Sequence, residues 1–247
     1  MIEVDSLRLE YELTRGRRVE VIEGLSLKVE RGESLAIIGP SGCGKTSLLY
    51  ILAGLLKPTA GRVRIGGKGV RGPRRDVALV LQDIGLLPWK SVWRNAILGL
   101  ELNGGADEAQ LRKVEAILEE LGLAELKDRY PAQLSGGQKK RVGIARALAV
   151  EPQLLLMDEP LVSLDALTKE GIQNSILKLW QERKEQLTLV LVTHDIGEAV
   201  FLGERIVLLS QRPATIEAEI ANPGMGSIDY RTSGEFYDQV RRLRELL

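Results

Sequence analysis

Hydrophobic residues follow two kinds of pattern along this chain. Near the N-terminus they alternate with polar residues at the two-residue period of half-buried strands, and the stretch TRGRR (14–18) between two such segments predicts a turn. The alternating positions are Leu7, Leu9 and Tyr11, followed by Val19 and Val21. Further along, five short runs are almost entirely apolar, as expected of buried strands. They are SLAII (34–38), VALVL (77–81), LLLM (154–157), TLVLV (188–192) and RIVLL (205–209).

Helical periodicity occupies the segments between these runs. A helix is predicted from about Lys45 to Ala53, where Gly54 ends it, and the pattern stays helical from about Leu86 to Val150. Two apolar helix faces carry Leu111, Val114, Leu118 and Leu121 before Gly122, and then Ile172, Ile176 and Leu179. Strands that alternate with helices imply a parallel sheet covered on both faces. We therefore predict an α/β fold with a mostly parallel sheet, an N-terminal antiparallel β region and an inserted helical subdomain.

The overall composition limits the partners and the cellular compartment that we expect for this chain. The 247 residues include 34 Lys plus Arg and 34 Asp plus Glu, so no overall charge draws the chain to nucleic acid or to an anionic membrane. The single cysteine, Cys43, cannot form an internal disulfide, which suits a reducing cytosol. No apolar run reaches the roughly 18 residues of a membrane span, and the acidic N-terminus is unlike a signal peptide. We therefore expect a soluble cytoplasmic protein that works at a membrane only through a partner.

The stretch GPSGCGKT (39–46) fits the phosphate-loop pattern G-x-x-x-x-G-K-[ST] in full. Its glycines let backbone N–H groups turn toward a phosphate, Lys45 reaches the β- and γ-phosphates, and the Thr46 hydroxyl is a ligand for Mg²⁺. An ordinary Gly-rich turn is the alternative, but a predicted strand precedes this loop and a predicted helix follows it. Cys43 occupies a variable position of the pattern and is interpreted as a small packing residue.

Polar residues follow three of the buried runs. Asp158 and Glu159 come after LLLM, where Asp158 would lie near the metal, usually through water, and Glu159 would polarise an attacking water. His194, the only histidine, follows TLVLV at the sheet edge where such folds bind ligands, and it would bond the γ-phosphate or hold the water. Gln82, after VALVL, would contact Mg²⁺ and water. Taken alone, each of these residues more often has a structural role; the phosphate loop is what favours catalysis.

A second phosphate-facing element, LSGGQ (134–138), follows the phosphate loop by about ninety residues. Its glycine pair stands behind Ser135 at the start of a predicted helix, which is typical of an anion-binding helix N-terminus. A helix start that serves only its own chain is the alternative interpretation.

Together these motifs resemble the nucleotide-binding subunits of ABC transporters, from about residue 4 to 212. The diagnostic motifs occur in the family's order: GPSGCGKT, Gln82 of the Q-loop, LSGGQ, LLLMDEP, SLD (163–165) and His194. A phosphate loop is common to many NTPases, whereas LSGGQ followed some twenty residues later by DEP is close to unique to this family. QKKR (138–141) is a modest variant of the family's QQR or QRQR. The resemblance implies a P-loop NTPase core, ATP and Mg²⁺ as cofactors, and ATP hydrolysis coupled to transmembrane transport.

The resemblance also implies a function for LSGGQ. In the family two subunits pair head to tail, and each ATP lies between the phosphate loop of one and the LSGGQ of the other. Tyr11 is compatible with the aromatic residue that stacks on adenine, although a half-buried strand tyrosine is the alternative. The implied residues are Gly39, Pro40, Ser41, Gly42, Cys43, Gly44, Lys45, Thr46, Ser47 and Asp158 for ATP; Ser135, Gly136, Gly137, Gln138 and Asp165 for ATP in trans; Glu159, His194 and Gln82 for catalysis; and Thr46 and Gln82 for Mg²⁺, with Asp158 through water.

A partner is implied as well. The apolar residues Leu86, Leu87, Trp89, Val92 and Trp93 either belong to the core or form the groove that, in the family, accepts a short helix of the membrane permease. LLPW and SQRPATI (210–216) resemble the importers for nitrate, sulfonates and taurine. We expect a homodimer on ATP binding, a separate permease, an indirect role for a periplasmic or extracellular solute-binding protein, a location at the inner face of the cell membrane, and no nucleic acid.

We expect a single ABC ATPase domain over residues 1–247. Its core would span about 1–84 and 152–220, its helical subdomain about 85–151, and a C-terminal helical tail about 228–247 would pack on the sheet or on a second subunit. The main alternative is a soluble ABC ATPase acting on nucleic acid or ribosomes, which usually carries a long coiled-coil insert or two cassettes. A P-loop kinase is more distant, because it would have no use for LSGGQ.

Overall fold

The computed structural model describes residues 1–12 and 16–247, which form two β-sheets surrounded by helices. The strands are β1 (Ile2–Glu12), β2 (Arg18–Val29), β3 (Ser34–Ile38), β4 (Ala60–Ile65), β5 (Lys68–Gly69), β6 (Val77–Val80), β7 (Leu154–Asp158), β8 (Thr188–Val192), β9 (Arg205–Leu209) and β10 (Ile216–Ala221). The helices are α1 (Lys45–Leu52), α2 (Val92–Ala96), α3 (Leu98–Leu102), α4 (Glu108–Glu120), α5 (Gly136–Leu148), α6 (Ala166–Glu182), α7 (Ile196–Leu202) and α8 (Gly234–Leu246). The predicted α/β class is confirmed.

The N-terminal sheet is antiparallel, in the order β2-β1-β4-β5. Its alternating pattern separates the two faces as predicted: Leu7 and Leu9 are buried, whereas Tyr11 is 39% exposed at the end of β1. In the predicted turn TRGRR, Thr14 and Arg15 lie outside the described residues. The sheet therefore has one apolar face, which it turns toward the rest of the chain.

The second sheet has six strands in the order β10-β9-β3-β8-β7-β6, parallel throughout except for β10. The predicted bounds of β3, β8 and β9 are those observed. β6 ends at Val80, one residue earlier than expected, and β7 continues to Asp158. Because parallel strands end at the same edge of a sheet, the phosphate loop after β3, Asp158 and the segment after β8 lie along one edge.

Strand alternation divides the core into two layers. Leu35 and Ile37 pack on the side of α1 and the antiparallel sheet, whereas Ala36 and Ile38 pack on the side of α4 to α8. The same division separates Leu154 and Leu156 from Leu155 and Met157 on β7. Side chains on both faces of the central strands are buried, so the runs are mostly apolar rather than apolar at alternate positions.

The helical block begins later than predicted. The first helix starts at Val92 instead of about Leu86, because Pro88 has no N–H and the Ser91 side chain caps α2. The buried Asn95 side chain holds the preceding loop, donating to the carbonyl oxygens of Leu87 (3.1 Å) and Lys90 (2.9 Å). The sequence pattern also missed three strands: β4 and β10, in which charged residues interrupt the apolar ones, and β5, which has only two residues.

The C-terminal helix packs on its own chain. Phe236 and Leu243 of α8 are buried, and the Tyr230 hydroxyl donates to Asn222 Oδ1 at 2.5 Å. This settles the choice between the chain's own core and a second subunit for these side chains. Within residues 1–12 and 16–247, no helix combines the length and apolar character that a membrane crossing requires.

Candidate functional site

The phosphate loop connects the end of β3 to the start of α1. Gly44 has φ +127°, and a Cβ there would lie 3.0 Å from Cγ1 of Val21 on β2. At Gly39 a Cβ would lie 2.8 Å from the carbonyl oxygen of Leu209. Glycine is required at both positions because strand backbones approach the loop closely. The Cys43 side chain points into the core and is buried, which agrees with its interpretation as a packing residue.

Lys45 lies folded under this loop. Its Nζ donates to the carbonyl oxygens of Gly39 (2.8 Å) and Pro40 (2.9 Å), and the residue is only 5% exposed. Because these carbonyl groups are uncharged, they leave the positive charge of Lys45 without a counterion. The loop therefore holds a fixed, largely buried cation under a backbone that can turn its N–H groups toward an anion.

A cavity of about 460 Å³ opens above the loop. It is lined by Tyr11, Glu12, Val19, Val21, Ser41, Gly42, Gly44, Lys45, Thr46, Ser47, Glu159 and Arg212. The Tyr11 hydroxyl lies 3.2 Å from Ser47 Oγ, so the N-terminal sheet and the loop meet across this cavity. A larger cavity of about 560 Å³ lies between α4 and the segment that follows α6, but its Lys113 and Arg183 are paired with carboxylates, and it contains none of the predicted site residues.

Two side chains with oxygen atoms that could bind a metal lie side by side below the loop. The Thr46 hydroxyl donates to Asp158 Oδ1 at 3.1 Å, and Asp158 is 4% exposed at the end of β7. Burial raises the pKa of Asp158, while the bond from Thr46 opposes that shift. Among the described residues no group of three or more His, Cys, Asp and Glu side chains forms a metal-binding cluster. A hydroxyl and one carboxylate instead suit Mg²⁺, which usually keeps several waters and takes its other ligands from a phosphate substrate.

Glu159 and His194 form a pair at the same edge. His194 Nδ1 lies 3.1 Å from Glu159 Oε2, and the Glu159 N–H donates to the carbonyl oxygen of Val192 at 2.9 Å. Glu159 has φ +44°, which is a strained conformation for a residue with a side chain. That turn separates its carboxylate from the neighbouring Asp158 and directs it to the cavity lined by the loop.

Gln82 lies apart from this group. Its side chain is exposed, it does not line the cavity, and its own carbonyl oxygen accepts from Lys140 Nζ at 2.6 Å. A role for Gln82 at the metal therefore stays a prediction.

The LSGGQ segment also lies away from the phosphate-loop cavity of its own chain. Ser135 caps α5, where it accepts from the Gln138 N–H (3.2 Å) and donates its own N–H to Gln138 Oε1 (2.8 Å). A Cβ at Gly137 would collide with Thr168, so the start of α5 is seated against the start of α6, which Asp165 caps. None of Ser135, Gly136, Gly137, Gln138 and Asp165 lines the cavity.

Sequence reasoning missed Arg212. It lies in the turn between β9 and β10, and its Nη2 and Nε donate to the Gly42 carbonyl oxygen at 2.7 and 3.2 Å. The turn is also joined to β2, since the Ala214 N–H donates to Val21 at 2.8 Å. The stretch SQRPATI stood out in the sequence, but nothing in it placed the arginine beside the phosphate loop.

Comparison with known proteins agrees with these features. The profile of the ABC transporter family matches residues 22–162. An ABC transporter ATP-binding protein of Methanocaldococcus jannaschii is 42% identical over 246 residues, covering 100% of this chain and 91% of that protein. The taurine import ATP-binding protein TauB of Escherichia coli O6:H1 is 47% identical over 195 residues, covering 79% of this chain and 76% of that protein.

Solved structures give the same result. A dimeric post-hydrolysis state of the ATP-binding cassette MJ0796, bound to ADP and Pi, superposes with a TM-score of 0.78 at 32% identity, over 90% of this chain and 99% of that one. A second dimeric structure of that cassette has a TM-score of 0.77 at 34% identity over the same shares. The chain therefore belongs to the ABC transporter family, as an ATP-binding subunit that hydrolyses ATP.

Proposed function

We propose that this chain powers the import of a small solute, such as nitrate, a sulfonate or taurine, by hydrolysing ATP at two sites that a homodimer shares. The observation that carries the proposal is the separation of the two phosphate-facing elements. The phosphate loop lines a cavity with Glu159, whereas Ser135 caps a helix elsewhere on the same chain. The binding site of a nucleotide on the loop is then completed only by a second chain.

Mg²⁺ is proposed to bind between Thr46 and Asp158. Their oxygen atoms are 3.1 Å apart, with Thr46 as a direct ligand and Asp158 acting through water. When bound, the ion neutralises charge on the phosphates. Gln82 is the third proposed contact, and its approach would require the segment after β6 to move toward the loop.

For hydrolysis, we assign the proton-accepting role to Glu159. Its carboxylate orients a water against the γ-phosphate and takes the proton as the oxygen attacks. His194 holds this carboxylate through its Nδ1 contact at 3.1 Å and presents the rest of its ring to the phosphate. Lys45 supplies a cation to the β- and γ-phosphates, and the tyrosine ring of Tyr11 stacks on adenine at the far end of the cavity.

In the dimer, LSGGQ approaches the partner's nucleotide. The Ser135 hydroxyl and the N–H groups of Gly136 and Gly137 face the γ-phosphate, where the dipole of α5 favours negative charge. Asp165, which caps α6 beside this helix start, lies at the interface and links the two sites. Both structures of the related cassette MJ0796 are dimers, which supports this arrangement.

ATP-dependent pairing gives a direct test. We expect the Glu159→Gln variant to form a dimer in ATP and the wild-type chain to be mostly monomeric without nucleotide, because LSGGQ has no ligand until a second chain brings one. Size-exclusion chromatography with light scattering measures both masses. Glu159→Gln without ATP is the control, and a variant that binds ATP yet stays monomeric would contradict the shared sites.

The permease is proposed to dock beside Trp89. Val92 is buried in the core and Leu86 and Trp93 pack against it, which leaves Trp89, 71% exposed, as the main apolar side chain offered to a partner. The chain would thus sit on the cytoplasmic face of the membrane.

We propose one ATPase domain over 1–247, with a core of about 1–84 and 152–220, a helical subdomain of about 85–151 and a tail of about 228–247.

The cargo assignment follows the relatives. Several relatives, at 40–47% identity, are named as taurine import ATP-binding proteins. We expect cells that carry this chain with its permease and solute-binding protein to take up labelled taurine or another sulfonate. Uptake should be lost with Glu159→Gln, which serves as the hydrolysis-deficient control. Uptake of neither sulfonates nor nitrate would contradict the cargo class.

A further inference from the structure

Residues 82–85 lie along one face of α5, the helix that begins at Ser135. Lys140 Nζ donates to the carbonyl oxygen of Gln82 at 2.6 Å. Arg146, six residues further along, donates to the carbonyl oxygens of Gly85 (3.0 Å) and Ile84. The segment 82–85 has no helix or strand of its own, so these carbonyl oxygens take their partners from α5.

A glycine lets the segment approach the helix. Gly143 lies midway between the two cations on the same face of α5, since residues three apart are neighbours on a helix. A Cβ at Gly143 would collide with Cγ2 of Ile84, whose side chain is 9% exposed. Ile84 therefore sits directly on the helix backbone, between two hydrogen-bonded anchors.

Both cations are partly withdrawn from water. Burial lowers the pKa of Lys140 and of Arg146, while Asp83 and Glu198 face Lys140 and oppose that shift. Both residues are half-buried, so losing these acceptors would cost part of the penalty of an unpaired buried charge. The contacts to residues 82–85 are thus structural constraints rather than loose surface pairs.

Two parts of α5 contact groups that have different predicted functions. At its start, Ser135 faces the partner's nucleotide; along its face, Lys140 holds the residue assigned to the chain's own metal. The helix has 13 residues and a length of about 20 Å, and it moves as one body. A displacement imposed at Ser135 is therefore carried to the backbone of Gln82.

We infer that Lys140 and Arg146 are positioning residues that tie Gln82 to α5, so that docking of LSGGQ on one nucleotide sets the Gln82 segment at the other. The inference rests on the proposed function in one respect, because it uses the roles given there to Gln82 and Ser135. Neither cation touches the nucleotide itself.

The test is the Lys140→Gln variant. We expect kcat for ATP hydrolysis to fall by about tenfold or more, since a small misplacement of a catalytic group has effects of that size. The Kd for ATP should stay within about twofold, because the phosphate loop is untouched. Lys140→Arg, which restores a long cationic donor, should recover most of kcat. Arg146→Gln should show the same separation of kcat from Kd.

Lys178→Gln and Arg112→Gln are the matched controls, because both residues lie in exposed i,i+4 ion pairs on other helices. Hydrogen exchange of peptides covering residues 82–88 should accelerate in Lys140→Gln and not in these controls. Wild-type kcat in Lys140→Gln would overturn the inference, and so would a loss of kcat that Lys140→Arg does not restore.

The Gln82→Ala variant distinguishes a failure of the positioning role of Lys140 from a failure of the proposed role of Gln82. If Gln82→Ala is slow and Lys140→Gln is not, the positioning role alone fails. If Gln82→Ala hydrolyses ATP at the wild-type rate, the proposed role of Gln82 fails and the inference fails with it. Slow hydrolysis in both, with a double variant no slower than Gln82→Ala, supports the coupling.

Discussion

Replacing Glu159 with glutamine is expected to slow ATP hydrolysis at least about a hundredfold while ATP binding is retained, since losing a positioned base typically costs about 10²–10⁴ in rate. The glutamine side chain has the same shape and can still face the cavity and His194. It cannot take a proton from the attacking water. Single-turnover hydrolysis of labelled ATP measures the chemical step without product release.

Glu182→Gln is the matched control for this experiment. Glu182 ends α6 at the surface, in ion pairs with Lys178 and Arg183, and lies outside the cavity. It should hydrolyse ATP at the wild-type rate. Single-turnover hydrolysis at wild-type speed in Glu159→Gln would instead remove Glu159 from the proton-accepting role.

The strands of the central sheet were predictable from sequence because their side chains are buried on both faces. SLAII, TLVLV and RIVLL are apolar after their first residue and are followed by polar or glycine residues, so their bounds follow directly. The phosphate loop was predictable for a different reason. Close approach of β2 and β9 leaves room only for glycine at Gly44 and Gly39, and that requirement is visible as a motif.

Long-range contacts were not predictable in this way. Arg212 contacts Gly42 across 170 residues of chain, and Lys140 contacts Gln82 across 58. An exposed arginine or lysine has no period or spacing that names its partner. The edge strand β10 was missed because it is only partly buried and Glu217 and Glu219 interrupt its apolar residues.

Ser135→Arg is expected to reduce hydrolysis at least about a hundredfold, an effect comparable to removing a donor to transition-state charge. The affinity of the monomer for ATP should be nearly unchanged. Ser135 lies outside the cavity above its own phosphate loop, so a bulky cation there blocks closure of the dimer and leaves the loop intact. Equilibrium binding of a fluorescent ATP analogue to the monomer, beside steady-state hydrolysis, measures the two effects separately.

A control on a different helix supports the interpretation of that result. Arg112→Ala changes an exposed residue of α4 and should leave both hydrolysis and binding at wild-type values. A loss of ATP affinity in monomeric Ser135→Arg would mean that Ser135 serves the nucleotide of its own chain.

The most direct measurement of the shared site mixes two inactive variants, Lys45→Ala and Ser135→Arg, in equal amounts. In a mixed dimer both defects fall on one site, and the other site joins an intact Lys45 to an intact Ser135. We expect hydrolysis to return to as much as about a quarter of the wild-type rate, because random pairing makes about half of the dimers mixed and each has one intact site of two. If Ser135 acts on its own chain's nucleotide, no mixture restores a whole site, and hydrolysis stays at the level of the separate variants.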